Sequence, residues 1–247
     1  MAKPGPCTDA HHASPHGWEA VGYDGRHDSI ESFVSFREFQ IGGVALMATT
    51  GPLQTTPGEP DKPGVGYRSR FSKGDEIAGP GYYSVFLKDH GVRAELTATP
   101  RVAFHRFTFP RGTNAHLIFD VGNPQGESGA ILDAFVQWDG KGRLEGSVDT
   151  LPVYVKAYQP GASVKLYFVA ELDKAPSGVG TFRGTRVFPG ATAIQGIGCG
   201  FYLDLATDES ESVTVKLGMS YTSLDNARLN LQVEADRLPF DTARQQA

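Results

Sequence analysis

The sequence predicts an all-β protein, an antiparallel β-sandwich carrying a short C-terminal helical tail. Three observations predict it. Val92, Ala94, Leu96 and Ala98 alternate with Arg93, Glu95, Thr97 and Thr99, the period of a strand with one face in a core and one in water. Short apolar runs of this kind recur along the 247 residues, and Gly, Pro, Asn or Asp punctuates most of the gaps. Helical spacing enters only near the end, in SLDNARLNLQVEA.

Taken in order, the first thirty or so residues read as loop, with Pro4, Pro6, Pro15 and four of the seven histidines. Val44 to Thr49 has the makeup of a short buried strand, and Pro52 to Gly66 is a long Pro- and Gly-rich loop. Tyr83, Val85 and Leu87 line one face of a strand that turns through Lys88-Asp89-His90-Gly91 into Val92–Thr99; Val102 to Phe109 completes a meander. Strands are then expected at Ala115–Val121, Ile131–Gln137, Arg143–Val148, Val153–Tyr158, Val164–Leu172, Gly200–Leu205 and Val213–Tyr221. Ser223 is placed to cap a helix with Leu224, Leu231 and Val233 on an apolar stripe, and Pro239-Phe240-Asp241 opens a second one. Phe240 is expected to find little to pack against, so the chain should fray beyond Leu238 or pair with another copy there.

Composition narrows the function. Hydrophobic residues are 40% and charged residues 21%, ordinary for a folded domain. A net charge of −5 disfavours nucleic acid and anionic membranes as partners. No run reaches the roughly eighteen apolar residues of a membrane-spanning helix, and MAKPGPCTDAHH does not read as a signal peptide. Cys7 and Cys199 are expected to be two free thiols, Cys199 in the core.

No set of side chains declares a reaction. His11, His12, His16 and His27 with Asp9, Asp24 and Asp28 lack the spacing of a metal site, so no metal is expected there. His105, between Phe104 and Arg106, reads as a satisfied core or cross-strand histidine. Glycoside hydrolysis needs two carboxylates facing across a cleft. Asp75, Glu76, Asp89, Asp133, Asp139 and Asp149 all sit in or beside expected turns, and none stands out.

The wording of several segments is more specific. GWEAVGY at 17–23, TTGP at 49–52, FSKGDEIAGPGYYSV at 71–85 with the following AELTATPRV and FHRFTFP, and VKLGMSYTSLDNARLNL at 215–231 occur in one order. Together they closely resemble the amino-terminal β-sandwich domain of glycoside hydrolase family 92, the calcium-dependent α-mannosidases. The resemblance implies a supersandwich of the galactose-mutarotase-like kind over residues 1–222, the first sixteen or so loop-like, and a helical linker over 223–247. It implies a following helical barrel that holds both catalytic carboxylates and the calcium, so this chain alone should be inactive and hold no cofactor. Expected partners are mannose-containing glycans, the barrel of the same polypeptide and a second copy through the tail; the family implies secretion or a periplasmic location. Trp18 and Tyr23 lie where the family's sandwich approaches the active site, so they are the expected substrate contacts, Trp18 as a flat platform for a sugar ring. The sequence departs from the family in lacking its opening DPFIGT-like strand and Pro-Phe-Gly turn, and in carrying Ser35-Phe36-Arg37-Glu38 in place of a Ser-His-x-His run. A lectin-like module that binds glycans without cutting them, and a purely structural scaffold, are the rival readings.

Overall fold

The computed structural model of the protein describes residues 19–21, 29–34, 43–59, 62, 64–124, 129–207 and 211–247. The first strands are β1 (Glu19–Val21), β2 (Ser29–Ile30), β3 (Ser32–Val34), β4 (Ala45–Thr50), β5 (Ser69–Arg70) and β6 (Ile77–Gly79). The meander β7 (Tyr82–Leu87), β8 (Val92–Ala98) and β9 (Val102–Phe109) follows, then β10 (Ala115–Asp120), β11 (Ala130–Trp138) and β12 (Arg143–Leu151). After helix α1 (Val153–Tyr158) come β13 (Val164–Leu172), β14 (Gly178–Arg183), β15 (Arg186–Pro189), β16 (Ala193–Gln195), β17 (Cys199–Leu205) and β18 (Glu211–Ser220). Helices α2 (Leu224–Ala235) and α3 (Phe240–Gln246) end the chain.

The strands form a seven-stranded sheet, β1-β3-β4-β10-β17-β14-β15, and a nine-stranded sheet, β16-β11-β12-β13-β18-β9-β8-β7-β6, with β2 and β5 as a separate pair. Every ladder is antiparallel. The expected sandwich is therefore present, and its core is the alternation read from the sequence. Val92, Ala94 and Leu96 point inward beside Phe107, Val215 and Leu217 and meet Phe33, Leu117, Phe119 and Phe201 from the other sheet. Phe33 and Phe107 lie 6.1 Å apart across that interface, and Trp138 stacks on Phe201 at 6.5 Å. Each large apolar side chain fully buried this way contributes about 1.5–3 kcal/mol.

Part of each outer face is covered as well, so many of the alternating polar residues are less wet than expected. On the nine-stranded sheet, α2 buries Ala227, Leu231 and Ala235 over Val102, Phe104 and Val169. Ser223 Oγ accepts from the Asn226 N–H, the expected cap. Gly218 permits the approach: a Cβ there would lie 2.7 Å from Leu231 Cβ and 2.8 Å from the Ala227 carbonyl oxygen. Phe240, expected to be orphaned, is 4% exposed in the same cluster, with the Arg106 guanidinium 4.1 Å from its ring centre. Arg244 lies 3.6 Å over Tyr82, and ion pairs Arg228–Glu145, Arg101–Glu234 and Arg106–Asp241 fasten both helices. The tail thus packs on its own sheet, which corrects the expectation that Phe240 would be left bare. Val233, assigned to the apolar stripe, instead faces outward at 68% exposure.

Two further expectations change. Val153–Tyr158 is helix, not strand. Pro152, which cannot donate to a ladder, ends β12, and its extended ψ of 143° leads into the first turn. The stretch from Ser177 to Gln195, for which the sequence predicts no strand, holds β14, β15 and β16; its Gly-rich wording carries little periodicity.

Candidate functional site

The outer face of the seven-stranded sheet is crossed by the long loop between β4 and β5. In β10, Leu117 and Phe119 face the core, so His116, Ile118 and Asp120 face the loop. The loop is pinched at Gly58 and Gly66, whose backbones approach so closely that a Cβ on Gly58 would fall 1.8 Å from the Val65 carbonyl oxygen. Below the pinch, Tyr67 N–H donates to the Thr56 carbonyl at 2.8 Å and the Thr55 hydroxyl to that of Gly184 at 2.7 Å. His116 sets its two ring nitrogens against acceptors, Asp204 Oδ1 at 2.7 Å and the Gly51 carbonyl at 3.0 Å. His90 holds the other margin: Thr50 N–H donates to Nδ1 at 3.4 Å, leaving Nε2–H for the Tyr67 carbonyl at 3.0 Å. Burial holds the His90 ring below its ordinary pKa, in keeping with that neutral tautomer.

This anchoring brings a knot of polar side chains together at the Asp120 end of β10. Tyr67 Oη donates to Asp120 Oδ2 at 2.8 Å. Arg68 donates from Nη2 to Glu31 Oε2 at 2.7 Å and from Nη1 to Ser29 Oγ at 3.3 Å, while Asn123 Nδ2 reaches Glu31 Oε1 at 3.5 Å. Burial pushes the Asp120 carboxyl up to about 7, and the nearby Glu31 charge adds to this; the Tyr67 hydroxyl and the Gly122 and Asn123 N–H groups act the other way. Burial also raises Glu31, opposed by Arg68. Tyr67 is held well above its ordinary pKa by burial and by Asp120, so its phenol remains a donor. Asp120 is 4% exposed. Through these bonds the knot joins the segments around Ser29–Glu31, Tyr67–Arg68 and Asp120–Asn123.

Neither Trp18 nor Tyr23 lies among the described residues, nor do Cys7, the His11/His12/His16/His27 group or Ser35–Glu38. His105 is in the core as expected but not satisfied: it is fully buried, stacked on Phe107 at 6.2 Å, and neither ring nitrogen has a hydrogen-bond partner. Burial alone drops its pKa to about 3. Cys199 is buried and free, with its thiol pushed up to about 12 by burial. Asp89 and Asp139 serve turns, pairing with Arg70 and accepting from the Lys141 and Arg143 N–H groups. Asp133 and Asp149 do not: they sit inside β11 and β12, opposite each other. Among the described residues no group of three or more His, Cys, Asp and Glu side chains is arranged to hold a metal ion. The sequence reading missed Asp120, Glu31 and Arg68. One signal was available, a lone acid closing the apolar run HLIFD.

With this architecture in place, comparison identifies the class. The chain belongs to glycosyl hydrolase family 92, whose N-terminal domain matches residues 1–220. It is similar to a family GH92 α-mannosidase from Bacteroides thetaiotaomicron, with 26% identity and a TM-score of 0.81 over 95% of this chain and 32% of that one. The complex of that α-mannosidase with mannoimidazole gives 24% identity and a TM-score of 0.83 over 95% and 33%. An inverting family GH92 mannosidase from the same organism gives 18% and 0.76 over 92% and 29%. The chain spans about a third of the length of these enzymes. No curated protein matches it in sequence.

Proposed function

We propose that this chain is the non-catalytic amino-terminal domain of a family 92 α-mannosidase, packing on a helical catalytic barrel and lending part of the wall of its mannose pocket. The observation that carries this reading is the overlap itself: 95% of the chain against about a third of a family α-mannosidase at 26% identity. The described residues are in keeping with a supporting role. The most strongly perturbed carboxyl, Asp120, is enclosed and braced rather than presented to a cleft. In this reading the acid, the base and the calcium belong to the barrel, and Trp18 and Tyr23 reach the sugar from the sandwich side. Residues 1–222 form the sandwich unit and 223–247 the linker; the natural setting is extracytoplasmic. Self-association through the tail loses its motive, because Phe240 is already packed.

The test is activity. The 247-residue chain alone should not turn over aryl α-mannosides or mannobiose, with or without calcium. In a polypeptide that also carries the barrel, Trp18→Ala should raise KM by about tenfold, the loss of one good contact. Turnover by the isolated chain that disappears when one of its own carboxylates is changed would overturn the proposal.

A further inference from the structure

Helix α2 is held from below and on both flanks. Ala227, Leu231 and Ala235 take the sheet side. Arg228 pairs with Glu145 of β12 on one flank; on the other, Asn230 Nδ2 donates to the Met219 carbonyl at 2.7 Å and Glu234 pairs with Arg101. The outward side has no such cover. It carries two apolar side chains one turn apart, Leu229 at 52% and Val233 at 68% exposure. Charges of opposite sign close the row. Asp225, in the first turn, has its side chain 87% exposed. Arg237, just past the last turn, is exposed and has no side-chain partner among the described residues. Read at intervals of four, Asp225, Leu229, Val233 and Arg237 run acid, apolar, apolar, base.

We propose that this row pairs antiparallel with the same row of a second copy of the chain. A two-fold axis between Leu229 and Val233 sets Leu229 against the partner's Val233 and Asp225 against the partner's Arg237, and every contact is made twice. The charges select the antiparallel arrangement, because parallel copies would set like charge against like. Asp225, Leu229 and Val233 follow one i±4 ridge, and packing of such ridges at a crossing of about −50° is the commonest helix pairing. On the Asn230 side the ridge borders a cavity of about 400 Å³, lined in part by Pro100, Met219 and Tyr221, in which an apolar side chain of the partner can bury. The backbone at Arg237 supports a role for its charge. Its φ of 54° is left-handed, a conformation that costs a residue other than glycine roughly 1–2 kcal/mol. This surface is separate from Phe240, which is packed under the tail and gives the chain no reason to pair. The row is narrow beside the roughly 800 Å² per partner of a standard interface, so the dimer is weak, with a Kd on the order of 100 μM. The inference does not rest on the mannosidase reading.

Sedimentation velocity of the 247-residue chain, from roughly 10 μM to 1 mM, tests it. A reversible equilibrium between monomer and dimer is expected. Leu229→Glu, at an exposed position, should abolish the dimer over that range without unfolding the chain. Arg237→Asp should weaken it about tenfold, and the double variant Asp225→Arg/Arg237→Asp should restore it, because the exchange rebuilds both pairs with their signs reversed. Arg237→Gly separates the interface from the fold: the dimer should weaken while the urea midpoint stays equal or rises, since glycine suits that backbone. A chain that stays monomeric up to the highest concentration would overturn the proposal. So would a dimer that survives Leu229→Glu, or one that Arg237→Asp weakens and the double variant does not restore.

Discussion

His105 inside the sandwich and Asp120 on the far side of the seven-stranded sheet are both buried and titratable, and burial moves them in opposite directions. His105 has no hydrogen-bond partner and is held neutral down to about pH 3. Asp120 is well served by donors yet keeps its proton up to about pH 7. The signs follow from which state binds the proton. His105 carries no protonation penalty above pH 6.5, its ordinary value, and that penalty grows as pH falls, because only the unfolded chain takes up the proton. Asp120 is most costly above pH 7, and its penalty is relieved as pH falls toward 3.8, because the folded chain takes up that one. Between about pH 6.5 and 4 each state holds one proton of the pair, so the two pH dependences cancel. Outside this pair, His90 adds a smaller loss of the same sign as His105 and Glu31 a gain of the same sign as Asp120, while Glu95, Glu234, Asp89 and Asp139, held below their ordinary values, lose their contribution as pH falls through the carboxylate range.

The sharpest way to break the comparison is to remove the acid. Asp120→Asn keeps the shape and the acceptor for Tyr67 but leaves His105 unopposed. Its unfolding free energy should fall below pH 6.5 with a slope approaching 1.4 kcal/mol per pH unit, about 3 kcal/mol by pH 4. Urea denaturation at a series of pH values would measure it; a profile parallel to that of the unsubstituted chain would show that the two groups do not offset each other. The reverse change is somewhat smaller at neutral pH. His105→Leu deletes two buried unpaired nitrogens and should gain about 1–3 kcal/mol at pH 7. It should gain more on mild acidification, as Asp120 takes up its proton. Destabilisation at pH 7 would mean the ring is satisfied after all.

The same pair shows how far the sequence could be read. His105 was legible as a core position, because strand alternation puts it beside Ala103 and Phe107, and the structure agrees. Its lack of a partner was not legible, since that depends on what Leu96 and Val215 place around it across two ladders. Asp120 was read only as the end of an apolar strand. Its partners come from Tyr67, more than fifty residues earlier, and from a loop whose path no local periodicity encodes. The outer-face coverage failed for a similar reason. Arg93, Glu95 and Thr97 alternate as a wet face would, yet Thr97 is fully buried and donates to the Gly81 carbonyl beneath the tail. Polar alternation reports which side faces away from the first core and is silent on whether a helix later covers it.

Tyr67→Phe tests how much of the contrast is due to hydrogen bonding rather than burial. It removes the donor 2.8 Å from Asp120 Oδ2 and, with it, an acceptor for the Asn123 side chain. At pH 8, where the carboxylate is charged, the loss should be about 1.5–3 kcal/mol; at pH 5, where it is neutral in the fold, about 0.5–1.5 kcal/mol. A loss that does not shrink on acidification would place the value of Tyr67 in packing and not in its hydroxyl.

The smallest expected effect is the coupling between the two sites. Phe119 and Leu117 fill the layer between them, and sheets in a sandwich pack about 10 Å apart. Groups at that separation, sharing no partner, usually act additively to within about 0.3–0.5 kcal/mol. The double variant His105→Leu/Asp120→Asn should therefore equal the sum of its parents at pH 7.5. It should also lose the slope that either parent shows, leaving the pH dependence of His90, Glu31 and the surface carboxylates. A coupling well above 0.5 kcal/mol would show the seven-stranded sheet transmitting a change on its loop-covered face into the core. The cancellation would then be a property of one connected network and not of two independent burials of opposite sign.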